Sequence, residues 1–142
     1  MEESEKNNLF ITFKGVIESI IDDKRKNPKN EDTLNNLNAR INLGLHVEED
    51  YIFWVHLIAE NGKYTLGRDE LEEYDLEVIS TPEDMMYFSN GENSTLHMIL
   101  KKNRFGNRKL RFDKSSDGKR NLGLLLKLPK VLVLDEIDMT RK

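Results

Sequence analysis

Apolar positions change their period several times along this chain. Leu9, Phe10, Phe13, Val16, Ile17, Ile20 and Ile21 recur at helical spacing. The pattern predicts one apolar stripe on a helix over about 8–24, with Gly15 as its weak position. Residues 1–8 before it are polar and read as a flexible tail. Residues 24–36, KRKNPKNEDTLNN, are charged, Asn-rich and interrupted by Pro28, and read as a polar loop.

From Leu37 the period becomes two. Leu37, Ala39, Ile41, Leu43, Leu45 and Val47 alternate with polar or small residues, the pattern of a strand with one buried face. A second strand over about 51–59 carries Tyr51, Phe53, Val55, Leu57 and Ala59 on one face and Ile52, Trp54 and Ile58 on the other. A strand apolar on both faces belongs inside a sheet or is covered on both sides. Asn61-Gly62 predicts a hairpin into a third strand near 63–67, and a fourth follows at about 74–80.

Thr81-Pro82-Glu83-Asp84 predicts a helix start: a capping hydroxyl, a proline at the first position, and carboxylates at the positive end. That helix carries Met85, Met86 and Phe88 and stops at Asn90-Gly91. A second short helix opens at Asn93 or Ser94. A fifth strand spans about 108–113. A last helix, capped by Ser116 or Asp117 and ended by Pro129, holds Leu122, Leu124, Leu125, Leu126 and Leu128. Val131–Leu134 follows as an apolar run, and 135–142 reads as a second flexible tail. The predicted class is α+β: a five-stranded, mostly antiparallel sheet with helices packed on one face, in a single domain over 1–142.

This order resembles the sterol carrier protein 2 family. The resemblance is carried by YDLEVISTPEDMMYFSNGE (74–92), then STLHMILKK, the strand GNRKLRFDK and the closing helix NLGLLLKL. Upstream, LNARINLGLHV and YIFWVHLIAENGKYTLG look like the family's first three strands, so the likeness covers about 9–130. It implies noncovalent binding, and transfer, of a fatty acyl chain, lipid or isoprenoid-like ligand in an apolar tunnel between sheet and helices. The residues that would line such a tunnel are Phe10, Phe13, Ile17, Phe53, Trp54, Met85, Met86, Phe88, Leu96, Met98, Leu122 and Leu125. Each buried methylene of a ligand would contribute about 0.8 kcal/mol. The plainer reading of the same residues is a closed core, which would suit an interaction or scaffolding module with a protein partner.

Charge adds one further feature. Charged residues make up 34% of the chain, above the usual ~25%. The net charge is −4, yet 101–120 holds nine basic and two acidic residues, so the remainder carries −11. Lys101, Lys102, Arg104, Arg108, Lys109 and Arg111 are candidates for contact with an anionic membrane surface. The simpler alternative is a solvated face that pairs with the acidic remainder. Nucleic acid is disfavoured, because the domain is acidic and carries no recognised motif.

Other chemistry is sparse. No cysteine is present, which excludes disulfides, thiolate metal sites and cysteine nucleophiles. His46, His56 and His97 read as ordinary histidines, and the carboxylates from Asp69 to Glu77 lack the spacing of a calcium loop. Hydrolase elbow, phosphate loop and dinucleotide fingerprint are all missing, so neither enzymatic activity nor a cofactor is expected. No apolar run approaches the ~18 residues of a membrane span, and the first residues lack signal-peptide character, so a cytoplasmic address is expected. Oligomeric state leaves no sequence signal.

Overall fold

A computed structural model describes residues 1–135. It contains α1 (Glu3–Arg25), a 3-10 turn (Pro28–Asn30), α2 (Glu31–Asn36), β1 (Ala39–Glu48), β2 (Tyr51–Glu60) and β3 (Lys63–Arg68). Then come β4 (Leu76–Ser80), α3 (Pro82–Ser89), α4 (Thr95–Leu100), β5 (Arg111–Asp113) and α5 (Leu122–Leu132). The five strands form one sheet in the order β3-β2-β1-β4-β5. Three of the four pairings are antiparallel, and β1 with β4 is parallel.

The hairpin at Asn61-Gly62 joins β2 to β3 with both residues at positive φ (51° and 82°), the geometry that matches strand twist. The parallel pairing then needs a crossover, made by residues 69–75 without a helix. Asp69 N donates to Trp54 O at 2.9 Å, and Asp75 N donates to Arg40 O at 2.7 Å. Midway, Asn42 exchanges two hydrogen bonds with the Leu71 backbone. These bonds lay the crossover on the sheet face away from the core, which is why Asn42 is wholly buried although polar.

The other face carries the core. Ile41, Leu43, Leu45, Phe53, Val55, Leu57, Leu76 and Val78 pack against Ile17, Ile21, Leu34, Met85, Phe88, Met98, Leu125 and Leu128 of the helices. The α+β class with helices on one face is therefore present, with β2 inside the sheet.

Several local expectations differ from the structure. Helix α1 begins at Glu3, inside the stretch read as a tail, and Arg68 holds its first turns through Glu3 at 2.8 Å and Asn7 at 2.6 Å. Val16, placed on the apolar stripe, is exposed. The stretch 24–36 is not a loop: it forms the 3-10 turn and α2, and it contributes fully buried Leu34. Strand β5 starts at Arg111, because Arg108 bridges back to Lys102 in a small hairpin. Asn121 caps α5 by accepting from Leu124 N, while Ser116 binds the backbone of Tyr74.

Pro129 does not end α5. It lies inside the helix, where it removes one backbone bond, and the last turn persists because Val131 and Leu132 are buried in the core. Of the second predicted tail, only Asp135 falls within the described residues.

Candidate functional site

The short helices stand where the sequence signals put them. Thr81 caps α3: its hydroxyl accepts from Asp84 N at 3.1 Å and donates to Asp84 Oδ2 at 2.9 Å. Gly91, at φ 84°, turns the chain after α3. Ser94 caps α4 by accepting from His97 N at 3.1 Å. Together α3, α4 and α5 carry seven of the twelve predicted tunnel residues.

The twelve do not share one environment. Ile17, Phe53, Met85, Phe88, Met98 and Leu125 meet in the core cluster and pack on one another. Phe10 and Phe13 lie half-buried at its margin. Trp54 lies on the opposite sheet face, over Gly44, because strand alternation separates it from Phe53. Met86, Leu96 and Leu122 point outward, at 63%, 65% and 52% exposure. The adjacent methionines thus split: Met85 faces the core and Met86 faces solvent. Leu100 and Leu126 are exposed on the same helices.

The basic segment is largely tied to the domain. Arg104 Nη1 donates to Glu83 Oε1 at 2.8 Å, and Arg104 Nη2 donates to Val47 O at 3.1 Å. Lys109 Nζ lies 3.5 Å from Asp84 Oδ1. Arg108 donates to the carbonyl of Leu100, and Arg111 Nη2 donates to Nδ1 of His46 at 3.1 Å. Lys101 and Lys102 are exposed.

His46, read as ordinary, is the centre of a buried polar group that sequence reasoning missed. Its Nε2 donates to Glu49 O at 2.9 Å, so the hydrogen sits on Nε2 and leaves Nδ1 to accept from Arg111. Phe105 packs on the imidazole with centroids 4.4 Å apart. The sequence offered only a histidine in strand period, because its partner Arg111 lies 65 residues further along the chain. His46 and His56 do not meet: they pair with Ile52 and Asn42 respectively, about 13 Å apart along the strands. Among the described residues, no three His, Asp or Glu side chains converge as a metal site.

Among the clefts formed by the described residues, two border the crossover and the β5 edge. One of about 900 Å³ lies beside the crossover and is mainly polar, with Arg40, Glu60, Glu73, Tyr74 and Asp117 in its walls. The other, about 530 Å³, follows the β5 edge and is mainly apolar, with Ile79, Ile99, Leu100 and Phe112 beside Arg108 and Arg111. Glu77 lies opposite Asp113 across β4 and β5. Burial pushes the Glu77 carboxyl above its usual range, opposed by a hydrogen bond from Tyr74 and reinforced by Glu70 and Asp113. Among the described residues, no helix is long and apolar enough to cross a membrane.

Neither a protein-family model nor a curated protein matches the chain. Solved structures do. Sterol carrier protein 2 from Yarrowia lipolytica, in its apo form, is 12% identical, aligned over 83% of this chain and 88% of its own, with a TM-score of 0.50. A conserved hypothetical protein from Thermus thermophilus, provisionally described as a sterol carrier protein, is 9% identical. That alignment covers 87% of this chain and 90% of the other, with a TM-score of 0.50. At such identities the likeness is one of architecture, and it spans both the sheet and the helices over it. The chain has the sterol carrier protein 2 fold.

Proposed function

We propose that this protein binds a lipid or fatty acyl chain noncovalently and carries or presents it, without catalysing a reaction. One observation carries the reading: α3, α4 and α5 hold apolar side chains on both sides. Met85, Phe88, Met98 and Leu125 face the core, while Met86, Leu96, Leu100, Leu122 and Leu126 face outward. That is more apolar surface than the closed core consumes, which is what a protein alternating between an empty, closed state and a filled, open one requires. Unbranched Met85 and Met98 beneath the short helices suit repacking around an alkyl chain. The sterol carrier name of the structural neighbours supports the same ligand class. Contact of exposed Lys101 and Lys102 with an anionic membrane belongs to this reading as the step of exchange.

The test is native mass spectrometry of the purified protein, organic extraction, and titration with a fluorescent fatty acid, each read beside hydrogen exchange. Stoichiometric uptake with altered exchange in residues 82–100 is expected. An empty protein that also fails to bind the fluorescent fatty acid at micromolar concentration overturns the proposal. The same outward leucines favour a second reading, a protein-interaction module with a closed core. For that, light scattering would find a stable oligomer or complex that masks Leu96 and Leu122.

A further inference from the structure

The sheet face away from the helices carries its charge in bands. Side chains alternate along β1, so Asn42, Gly44 and His46 point to this face while Ile41, Leu43 and Leu45 enter the core. Strand register extends each of the three into a row. Asn42 lies level with His56, with Glu77 and, beyond Glu77, with Asp113. Gly44 lies level with Trp54, with Ile79 and, beyond Ile79, with Arg111. His46 lies level with Ile52.

The crossover runs over the Asn42 row, and residues 69–77 hold six carboxylates and no base. The opposite end is capped by Phe105 on His46, within residues 101–111, which hold six bases and no acid. Between these ends, about 13 Å apart along β1, lies an apolar row. Ile52 and Trp54 lean over Gly44, and Ile79 flanks it. The helices pack on the other face, and these three side chains stay partly exposed.

Much of the banded charge has no counterpart within the chain. Glu73, Arg104 and Lys109 form ion pairs. Among the described residues, Glu70 and Glu72 form none, and neither do Lys101, Lys102, Arg108 and Arg111. Glu77 and Asp113 stand directly opposite one another, a like-charge pair that costs stability unless a cation faces it.

We propose that this face is the contact of a two-fold homodimer whose axis runs along the Trp54–Gly44–Ile79 row. Rotation about that row brings two faces together with their strand directions reversed. Each acidic crossover then meets the basic end of the other copy, and the apolar rows meet at the axis. The crossover also stands one layer above the sheet, so each fills the step beside its partner's. An axis along the strands would set like charge on like charge, so the bands select one geometry. The apolar row is small and the charges are exposed, which makes the dimer weak and salt-sensitive. This surface is separate from the outward leucines of α4 and α5, and it does not rest on the lipid-binding reading.

Sedimentation equilibrium of the full chain, read beside the emission of Trp54, tests the proposal. In low salt a dimer with a dissociation constant on the order of 10–100 µM is expected, with Trp54 emission shifting to the blue. Raising the salt from about 0.02 M to about 0.5 M should weaken it about tenfold. Glu70→Lys with Glu72→Lys, and separately Lys102→Glu with Arg108→Glu, should each abolish self-association. All four positions are exposed, and Lys102 and Arg108 are bridged as like charges before and after reversal. An equal mixture of the two variants should dimerise again, because every band then meets its opposite on the partner. A wild type that stays monomeric in low salt at about 200 µM overturns the proposal. So does a mixture that stays monomeric while both variants keep the wild-type melting temperature. A dimer that masks Leu96 and Leu122 and leaves Trp54 emission unchanged overturns it too. If either variant fails to fold, the wild-type salt series and Trp54 emission decide alone.

Discussion

Asn42 and Leu71 exchange a pair of hydrogen bonds: Asn42 Nδ2 donates to Leu71 O at 3.0 Å, and Leu71 N donates to Asn42 Oδ1 at 2.8 Å. A carboxamide is the side chain that can both give and accept at one backbone residue, so it does for the crossover what a neighbouring strand would do. Asn42→Leu should cost about 2–3 kcal/mol in urea unfolding, because it strands both Leu71 groups. Asn42→Asp should cost more, since it turns the donor into an acceptor facing Leu71 O and buries a charge. Wild-type stability in either variant would remove this role.

Gly44 is required by its neighbours. A Cβ there would lie 2.9 Å from Ile52 Cγ2 and from Trp54 Cζ3. Gly44→Ala should therefore destabilise the fold by about 1–3 kcal/mol and red-shift the emission of Trp54, the one tryptophan. Gly15, inside α1 with open space around it, is the control. Gly15→Ala should stabilise by about 0.5–1 kcal/mol. An unshifted emission in Gly44→Ala would mean that Trp54 does not lie on that glycine.

Lys24 ties the last turn of α1 to the segment that follows α5. Its buried Nζ donates to Val133 O at 2.7 Å and to Asp135 Oδ1 at 2.8 Å. Donation from Lys24, helped by Asn30 and Asn27, holds the Asp135 carboxyl below its usual range, against the opposing effect of burial. With the folded value below the unfolded one, this contribution is complete above about pH 4 and is lost as the pH falls through the lowered value. Lys24→Met should cost about 1–3 kcal/mol at pH 7. The gap to wild type should narrow in denaturant titrations near pH 3; a gap independent of pH would refute the coupling.

Glu77 titrates with the opposite sign. Its folded value is raised, so its contribution is most favourable while it is protonated and is lost as rising pH charges it beside Asp113 and Glu70. Glu77→Gln should gain on wild type between acid and neutral pH, and the two proteins should converge below the ordinary carboxylate range. Parallel stability curves across that range would contradict the burial of this carboxyl.

Much of this fold was legible because its signals are local. Alternation placed β1 and β2, Asn61-Gly62 placed the hairpin into β3, and Thr81-Pro82 opened α3 at the expected residue. What was not legible depends on distant partners. Pro129 reads as a stop, yet packing of Val131 and Leu132 carries α5 past it. Pro28 and the asparagines around it outweighed Leu34 and Leu37, whose burial organises residues 28–36. At the candidate site, strand alternation could separate Trp54 from Phe53. Which of Met85 and Met86 faces inward, and that Arg111 rests on His46, followed only from the assembled sheet.

The strand order has a mechanical consequence. Within the sheet, the meander β1-β2-β3 and the pair β4-β5 are joined along a single parallel seam, Ile41 to Leu45 against Leu76 to Ser80. Such a seam divides the domain into two panels, each stitched by its own antiparallel bonds. Parting them would expose the core beside α3 while leaving every hairpin intact. Opening the domain along this line would cost the seam's five paired residues together with the core burial of Ile41, Leu43, Leu45, Leu76 and Val78 beneath them.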